Sequence, residues 1–332
     1  MRNKWRNIFF AFGVVAFGIM LTQVDVETTR RGLLAAGYRF PAVVVLWAFL
    51  YLFNTAAWYL IIKAGGCAGV KFMWLYKITV SGFALNYATP GGLMGGEPYR
   101  IMELKPHIGA ERASSSVILY VMTHIFSHFW FWLISVILYV LTENVSMAMG
   151  FVLTCTTVFC LLGLWFFVIG YRKGLAVKLI GKFGLLPLVG KHIRMIAERN
   201  KEKLANIDFQ IAALHNQNKS VLVSAVILEF MCRVCSAAEV YLIISLFAPE
   251  TSFVQCVLIL AFTTLFANLL FFMPLQIGGR EGGFLMSSVE LGIGAGAGIF
   301  TALIIRMREL VWTGLGLVFI KDGQNNKIQR HY

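Results

Sequence analysis

Charge is what this chain has least of. Asp, Glu, Lys and Arg together make up 14% of its 332 residues, where an average soluble domain carries about a quarter. Acidic residues are the scarcer kind, 16 against 29 Lys plus Arg, which leaves a formal charge of +13. With 58% of residues apolar, these shortages exclude an ordinary water-soluble fold and a disordered chain. Catalytic signatures are missing too. No Walker motif, zinc-protease motif or nucleophile elbow occurs. Paired outer-loop cysteines are absent, which argues against a secreted disulfide scaffold. Cys67, Cys155, Cys160, Cys232, Cys235 and Cys256 lie mostly in apolar runs. Cys232 and Cys235 form a CxxC, but it lies inside a hydrophobic helix and has no second pair, so it is weak as a zinc or redox motif. No metal and no cofactor is assigned.

Long apolar runs take the place of charge. A spanning helix needs about 20 apolar residues, because lipid cannot satisfy exposed backbone groups. Residues 8–21, 41–62, 113–141, 150–171 and 221–247 meet this requirement, and 295–320 makes a sixth. Two further runs are interrupted. Residues 72–88 contain Lys77 and end in Thr89-Pro90-Gly91-Gly92, and 253–273 end in Pro274 followed by Gly278-Gly279. The fold class is therefore all-α: a polytopic helical membrane protein with about six full spans and two broken or re-entrant hairpins, forming one membrane domain over 1–332. The basic N-terminus with its apolar run has no small-x-small cleavage site and reads as a retained anchor.

The net charge is localised. Residues 1–6 hold +3, 172–219 hold +7 and 321–332 hold +2, which is +12 of the +13. The positive-inside rule places all three segments in the cytoplasm. Segments 23–40, 142–149 and 248–252 then lie outside, both termini lie inside, and each interrupted run must enter and leave on one face. Crossing of 253–273 on its own would break this parity. The segment 172–219 carries Leu204, Ile207, Ile211 and Leu214 at helical spacing, which predicts a basic amphipathic helix. Such a helix either lies on anionic headgroups or forms a solvated hairpin that only fixes orientation. Nucleic-acid binding is disfavoured, because orientation accounts for the positive charge.

The two interruptions resemble each other. Asn86 precedes Pro90-Gly91-Gly92, then Gly95-Gly96-Glu97 and Arg100; Asn268 precedes Pro274, then Gly278-Gly279-Arg280-Glu281. In both, a glutamate follows the proline by seven residues, next to a glycine pair and an arginine. Residues 41–141 and 220–320 then make two repeats of span, hairpin and span in opposite orientations, as in transporters with a midplane site. Each break opens a new helix, whose N-terminal N–H groups favour phosphate or carboxylate. Two such ends meeting at the midplane would hold an anionic headgroup.

Other polar residues lie within the spans. Glu229, Arg233 and Glu239 fall in one, and Arg306, Arg308 and Glu309 in another. Ionisable groups at that depth cost about 2.5–3.5 kcal/mol each and usually line a pathway. Arg306, Glu229 and Arg233 are candidate binding residues, while Arg308, nearer an exit, reads as structural. His124 and His128, four apart, are compatible with a metal or a proton relay, but no third ligand is evident and a packed polar face is the preferred reading. The GxxxG pairs between Gly292 and Gly298 read as close helix packing.

Thr89-Pro-Gly-Gly-Leu-Met-Gly-Gly-Glu97-Pro-Tyr-Arg100, Pro274-Leu-Gln-Ile-Gly-Gly-Arg280-Glu281-Gly282 and Arg306 together resemble the lysylphosphatidylglycerol synthase transmembrane-region family, whose members are often described as flippase-like. The resemblance spans roughly residues 8–320. It implies movement of a phospholipid between leaflets of a bacterial cytoplasmic membrane. The cargo would be an anionic or aminoacylated phospholipid, or a polyprenyl-linked lipid. The chain continues only about a dozen residues past the last apolar run, so a soluble transferase domain is not expected and lysyl transfer is not implied. The implied substrate-binding residues are Glu97, Arg100, Arg280, Glu281 and Arg306, beside Glu229 and Arg233. The backbone break is assigned to Asn86, Pro90, Gly91, Gly92, Gly95, Gly96, Asn268, Pro274, Gly278 and Gly279. Expected partners are membrane phospholipids, with a separate lipid or glycan synthase and a homo-oligomer left open. Two rivals remain: an intramembrane lipid-modifying enzyme using the histidines or glutamates, and a non-catalytic partner that recruits a synthase through 172–219.

Overall fold

A computed structural model describes residues 26–67, 69–88, 95–173, 219–270 and 278–328, together with Ala11, Val15 and Phe209. The expected first span at 8–21, most of the segment 172–219, and Pro90, Gly91, Gly92 and Pro274 lie outside the described residues.

The described chain is helical throughout. Ten helices follow in order: α1 (Val26–Ala36), α2 (Arg39–Ala64), α3 (Phe72–Ala88), α4 (Gly96–Ile108), α5 (Ala110–Thr142), α6 (Met147–Lys173), α7 (Lys219–Ile244), α8 (Phe253–Leu269), α9 (Gly279–Glu290) and α10 (Ala295–Ile328). Among the described residues four segments are long and apolar enough to cross a membrane, namely Arg39–Ala64, Ala110–Thr142, Met147–Val168 and Lys219–Ile244. Their outward faces stay apolar. Phe151, Leu162 and Trp165 on α6, Val45 and Phe49 on α2, and Val140 and Leu141 on α5 are all exposed. Greasy faces of this extent on several helices fit lipid as the surrounding medium. Helix α10 is long, but Arg306, Arg308 and Glu309 interrupt its apolar character, and it is not among those four. The segment 23–40, read as an outer connection, contains α1.

The helices on either side of α6 repeat in length. Helices α2 and α7 have 26 residues each, α3 and α8 have 17 each, α4 and α9 have 13 and 12, and α5 and α10 have 33 and 34. At 1.5 Å per residue, a 17-residue helix reaches about 26 Å, short of the roughly 30 Å hydrocarbon layer. Helices α2 and α7 pack antiparallel. Trp47 bonds Glu239 and, seven residues further along α2, Asn54 bonds Glu229. Helices α3 and α10 are also antiparallel, with Ser81 bonded to the Gly316 carbonyl and Tyr87 to Glu309.

Small residues set the closest approaches. A Cβ on Gly316 would overlap Ala84 of α3, and one on Gly298 would overlap the Phe284 carbonyl of α9. Of the Gly292–Gly298 run, read as close helix packing, only Gly298 makes such a contact; Gly292 and Gly294 take positive φ in the turn before α10, and a Cβ on Gly296 would meet nothing. Around these crossings a large apolar cluster joins α2, α3, α5, α7 and α8, with Trp58, Leu75, Leu85, Tyr120 and Phe131 among its buried members.

Candidate functional site

The first break ends in α4, and the protein itself occupies that helix end. The Asn86 side-chain oxygen, Oδ1, accepts the Gly96 N–H at 2.7 Å, and the Asn86 side-chain amide donates to Glu97 at 2.9 Å. Arg100 follows one turn later and is only 1% exposed. Its guanidinium lies 3.5 Å from Glu97 and donates to the Thr79 carbonyl. Aromatic rings enclose it, with centroids at 4.7 Å for Phe83, 5.4 Å for Tyr120 and 5.7 Å for Trp58. Gly82 makes the enclosure possible, since a Cβ there would overlap the guanidinium. A cation desolvated this fully is held by its carboxylate and by the ring faces.

The second break ends in α9 and is arranged differently. Gly278 adopts φ of 81°, a conformation in which glycine avoids a Cβ clash. Its N–H donates to Glu281 at 2.8 Å, so Glu281 caps its own helix. Glu281 also pairs with Arg306 of α10. Arg280, the preceding residue, turns toward α3 and α10, where it pairs with Glu309 and donates to the Tyr87 hydroxyl at 3.3 Å. Asn268 bonds back to Thr264 of its own helix rather than reaching across the break as Asn86 does.

Two further charged groups complete the interior. Arg308 grips Glu239 through two bonds, at 2.9 and 3.0 Å, and stacks 3.8 Å from the Trp47 ring. Glu229, fully buried, takes bonds from the Asn54 amide and lies 2.7 Å from His124 Nδ1 and 3.9 Å from Arg233. Arg233 also donates to Ser127 and to the His124 carbonyl, and meets His128 Nε2.

A cavity of about 260 Å³ joins these groups. Its wall includes Asn86 and Tyr87 from the first break and Asn268 and Arg280 from the second. The remaining polar lining comes mainly from Asn54, His124, His128, Arg233, Glu239, Arg308 and Glu309. Of the residues expected from sequence, Asn86, Asn268, Arg233 and Arg280 line it. Glu97, Arg100, Glu229, Glu281 and Arg306 do not: Arg100 is sealed among the aromatic rings with Glu97 paired to it, Glu229 lies behind His124 and Arg233, and Glu281 and Arg306 pair with each other. Gly95, Gly96, Gly278 and Gly279 shape the helix starts and lie outside the lining as well. From sequence, the positive charge belongs to the new helix ends together with Arg100 or Arg280; of those two arginines only Arg280 lines the cavity. The Gly96 and Gly278 N–H groups are satisfied by side chains, and the charge facing the cavity comes from three arginines.

Arg308, read from sequence as structural and near an exit, is 2% exposed and lines the cavity. Tyr87, Asn54, Glu239 and Glu309 were not singled out as binding residues. The available signal was an intramembrane charge on α7 and on α10, but their partners lie as far away as 222 positions in sequence and emerge only from helix packing. Each cavity arginine has a carboxylate partner, so the charges of the site balance, and an arginine can exchange its internal partner for an anionic group of a ligand. Among the described residues no group of three His, Cys, Asp or Glu is placed to hold a metal ion.

Long apolar helices, exposed apolar faces and a charged cavity between the two helix breaks define a helical integral membrane protein with an internal polar site. The chain belongs to the lysylphosphatidylglycerol synthase TM region family, whose model matches residues 8–316. That family is a membrane region associated with flippase-like function, distinct from the soluble catalytic part. Neither a curated protein nor a solved structure matches the chain.

Proposed function

We propose that this protein binds the phosphate-bearing headgroup of a membrane lipid in the 260 Å³ cavity and carries it between leaflets of the bacterial cytoplasmic membrane. The cargo is an anionic or aminoacylated phospholipid, or a polyprenyl-linked lipid. One observation carries the reading: a charged chamber lined from both breaks lies inside a bundle whose outer faces are apolar. Arginine suits phosphate because its planar fork donates two parallel bonds. The chamber takes the headgroup, and the acyl or prenyl chains remain in lipid.

The matched helix lengths and the antiparallel packing of α2 on α7 support an inverted repeat, with α2–α5 as one half and α7–α10 as the other. In this reading α3–α4 and α8–α9 are re-entrant hairpins, each too short to span twice, and both termini are cytoplasmic. Alternating access is then rocking of one half against the other about the chamber.

The test is lipid movement in liposomes reconstituted with the full chain and fluorescent lipids of several headgroup classes. Movement of a phosphate-bearing lipid that is slowed about tenfold in Arg280→Gln and retained in Arg306→Ala is the expected result. No movement of any lipid across that panel would overturn the reading.

A further inference from the structure

His124 and His128 stand one turn apart on the cavity wall, and lipid binding by the arginines leaves them without a task. Their bonds fix their states. His128 Nδ1 is 3.2 Å from the His124 carbonyl, to which it can only donate. Its Nε2 is 2.8 Å from an Arg233 N–H, from which it can only accept. His128 is therefore held neutral by both neighbours. His124 presents Nδ1 to Glu229 at 2.7 Å. A carboxylate there takes an N–H, so the proton sits on Nδ1 and the lone pair is on Nε2. That nitrogen has no protein partner among the described residues, and the side chain, 23% exposed, lines the cavity. A carboxylate-backed imidazole whose far nitrogen opens onto a binding chamber is a proton acceptor.

The surrounding charges decide when it accepts. Helix α7 contributes Glu229, Arg233 and Cys232, and α5 itself contributes Tyr120 and His128. Helix α2 contributes Asn54, which is neutral, and α3 contributes the Phe83 ring. Helix α4 places Arg100, paired with Glu97, behind Tyr120. Helix α8 has no charged residue, and α6 has none among its described side chains. Glu229 and Arg233 cancel, so a proton on His124 leaves the buried cluster with one uncompensated positive charge. That state is costly in a low-dielectric interior unless an anion enters beside it. The anion and the proton therefore each favour the other's binding, and the linkage is reciprocal.

We infer that the cavity takes up a proton on His124 Nε2 together with an anionic phosphate headgroup, making the protein a proton-coupled carrier. This rests on the phosphate reading of the chamber. Nothing covalent is required: the proton comes from solvent, and the imidazolium donates its new N–H toward the headgroup.

The test is calorimetric titration of the detergent-solubilised full chain with dihexanoyl phosphatidylglycerol near pH 7, in HEPES and in Tris buffer. The two buffers differ in ionisation heat, so the difference between the observed heats counts the protons taken up. The expected result is up to about one proton per bound lipid, with affinity falling by up to about tenfold per pH unit as pH rises. His124→Gln, whose amide can still donate to Glu229, is expected to bind the lipid more weakly and with no proton uptake, and dihexanoyl phosphatidylcholine, which carries no net charge, is expected to show none in wild type. Equal heats in the two buffers with binding intact would overturn the coupling and leave the phosphate reading standing. Uptake that persists unchanged in His124→Gln would overturn the assignment to His124. No binding of either lipid would remove the phosphate reading, and the coupling with it. The wild-type buffer pair needs no variant, so the coupling stays testable if His124→Gln does not fold.

Discussion

The two breaks look alike in sequence and are built differently. Each places a glutamate seven residues after a proline, but the new helix starts at Gly96 in one and Gly279 in the other. Glu97 is thus the second residue of its helix and Glu281 the third, a rotation of about 100° around the axis. Glu97 turns inward to Asn86 and Arg100, while Glu281 folds back onto Gly278 and meets Arg306. The fifth residues differ as well. Arg100 packs over Gly82 of α3, whereas Gly283 lets the α9 backbone close on Thr263 of α8. Gly82 and Thr263 are each the eleventh residue of their helix. One half therefore locks its cation away from the chamber, and the other turns its cation, Arg280, into it. Under the proposed function, the first break is an anchor for its arginine and the second is the working face.

The largest effect should come from opening the anchor. Arg100→Ala leaves Glu97 beside an emptied aromatic box, and losing one partner of a buried pair costs about 3–5 kcal/mol. Denaturant unfolding in detergent would read it. Arg280→Ala should cost less, since its side chain keeps 23% exposure. Equal losses at the two positions would break the comparison.

Filling the space over Arg100 comes next. Gly82→Leu drives a side chain into the guanidinium, with an overpacking cost of about 1–3 kcal/mol. The double variant Gly82→Leu/Arg100→Ala should lose less than the sum of the singles, because both changes act on one space. Strict additivity in the same unfolding measurement would show that Gly82 is not there to admit Arg100.

On the working face the readout is transport. Arg280→Gln keeps hydrogen-bonding capacity and removes the charge. It should slow lipid movement about tenfold, equivalent to roughly 1.4 kcal/mol, with little change in unfolding. Arg100→Lys, by contrast, should affect unfolding before it affects lipid movement in the protein that remains folded.

Helices α2, α5, α6 and α7 were legible because long apolar runs leave the backbone few alternatives in lipid. Helix α1 was missed because Val26–Ala36 is polar and carries Arg30 and Arg31, which reads as an outer loop. At the site, Asn86, Asn268 and Arg280 were visible as neighbours of helix breaks, and Arg233 as a charge inside a span. The pairings were hidden. Arg308 with Glu239, Arg280 with Glu309 and Asn54 with Glu229 join residues on different helices. Periodicity within one helix carries no information on which face meets which partner. The likeness of the two motifs also concealed the one-residue phase difference that sends Glu97 and Glu281 in different directions.

The smallest effect tests that phase difference directly. Glu281 caps α9 by accepting the Gly278 N–H and holds a half-exposed pair with Arg306. The cap is worth about 1 kcal/mol, and an exposed pair contributes roughly 0–1 kcal/mol more. Glu281→Ala should therefore destabilise only slightly, and Glu281→Gln should recover much of the loss because its amide oxygen still accepts the Gly278 N–H. The same pair of substitutions at Glu97 should behave differently. Gln there keeps a bond to Asn86 but leaves Arg100 buried beside a neutral group, so Glu97→Gln should cost nearly as much as Glu97→Ala. If glutamine rescues both positions equally in unfolding experiments, the two glutamates do the same work and the distinction between anchor and working face fails at its origin.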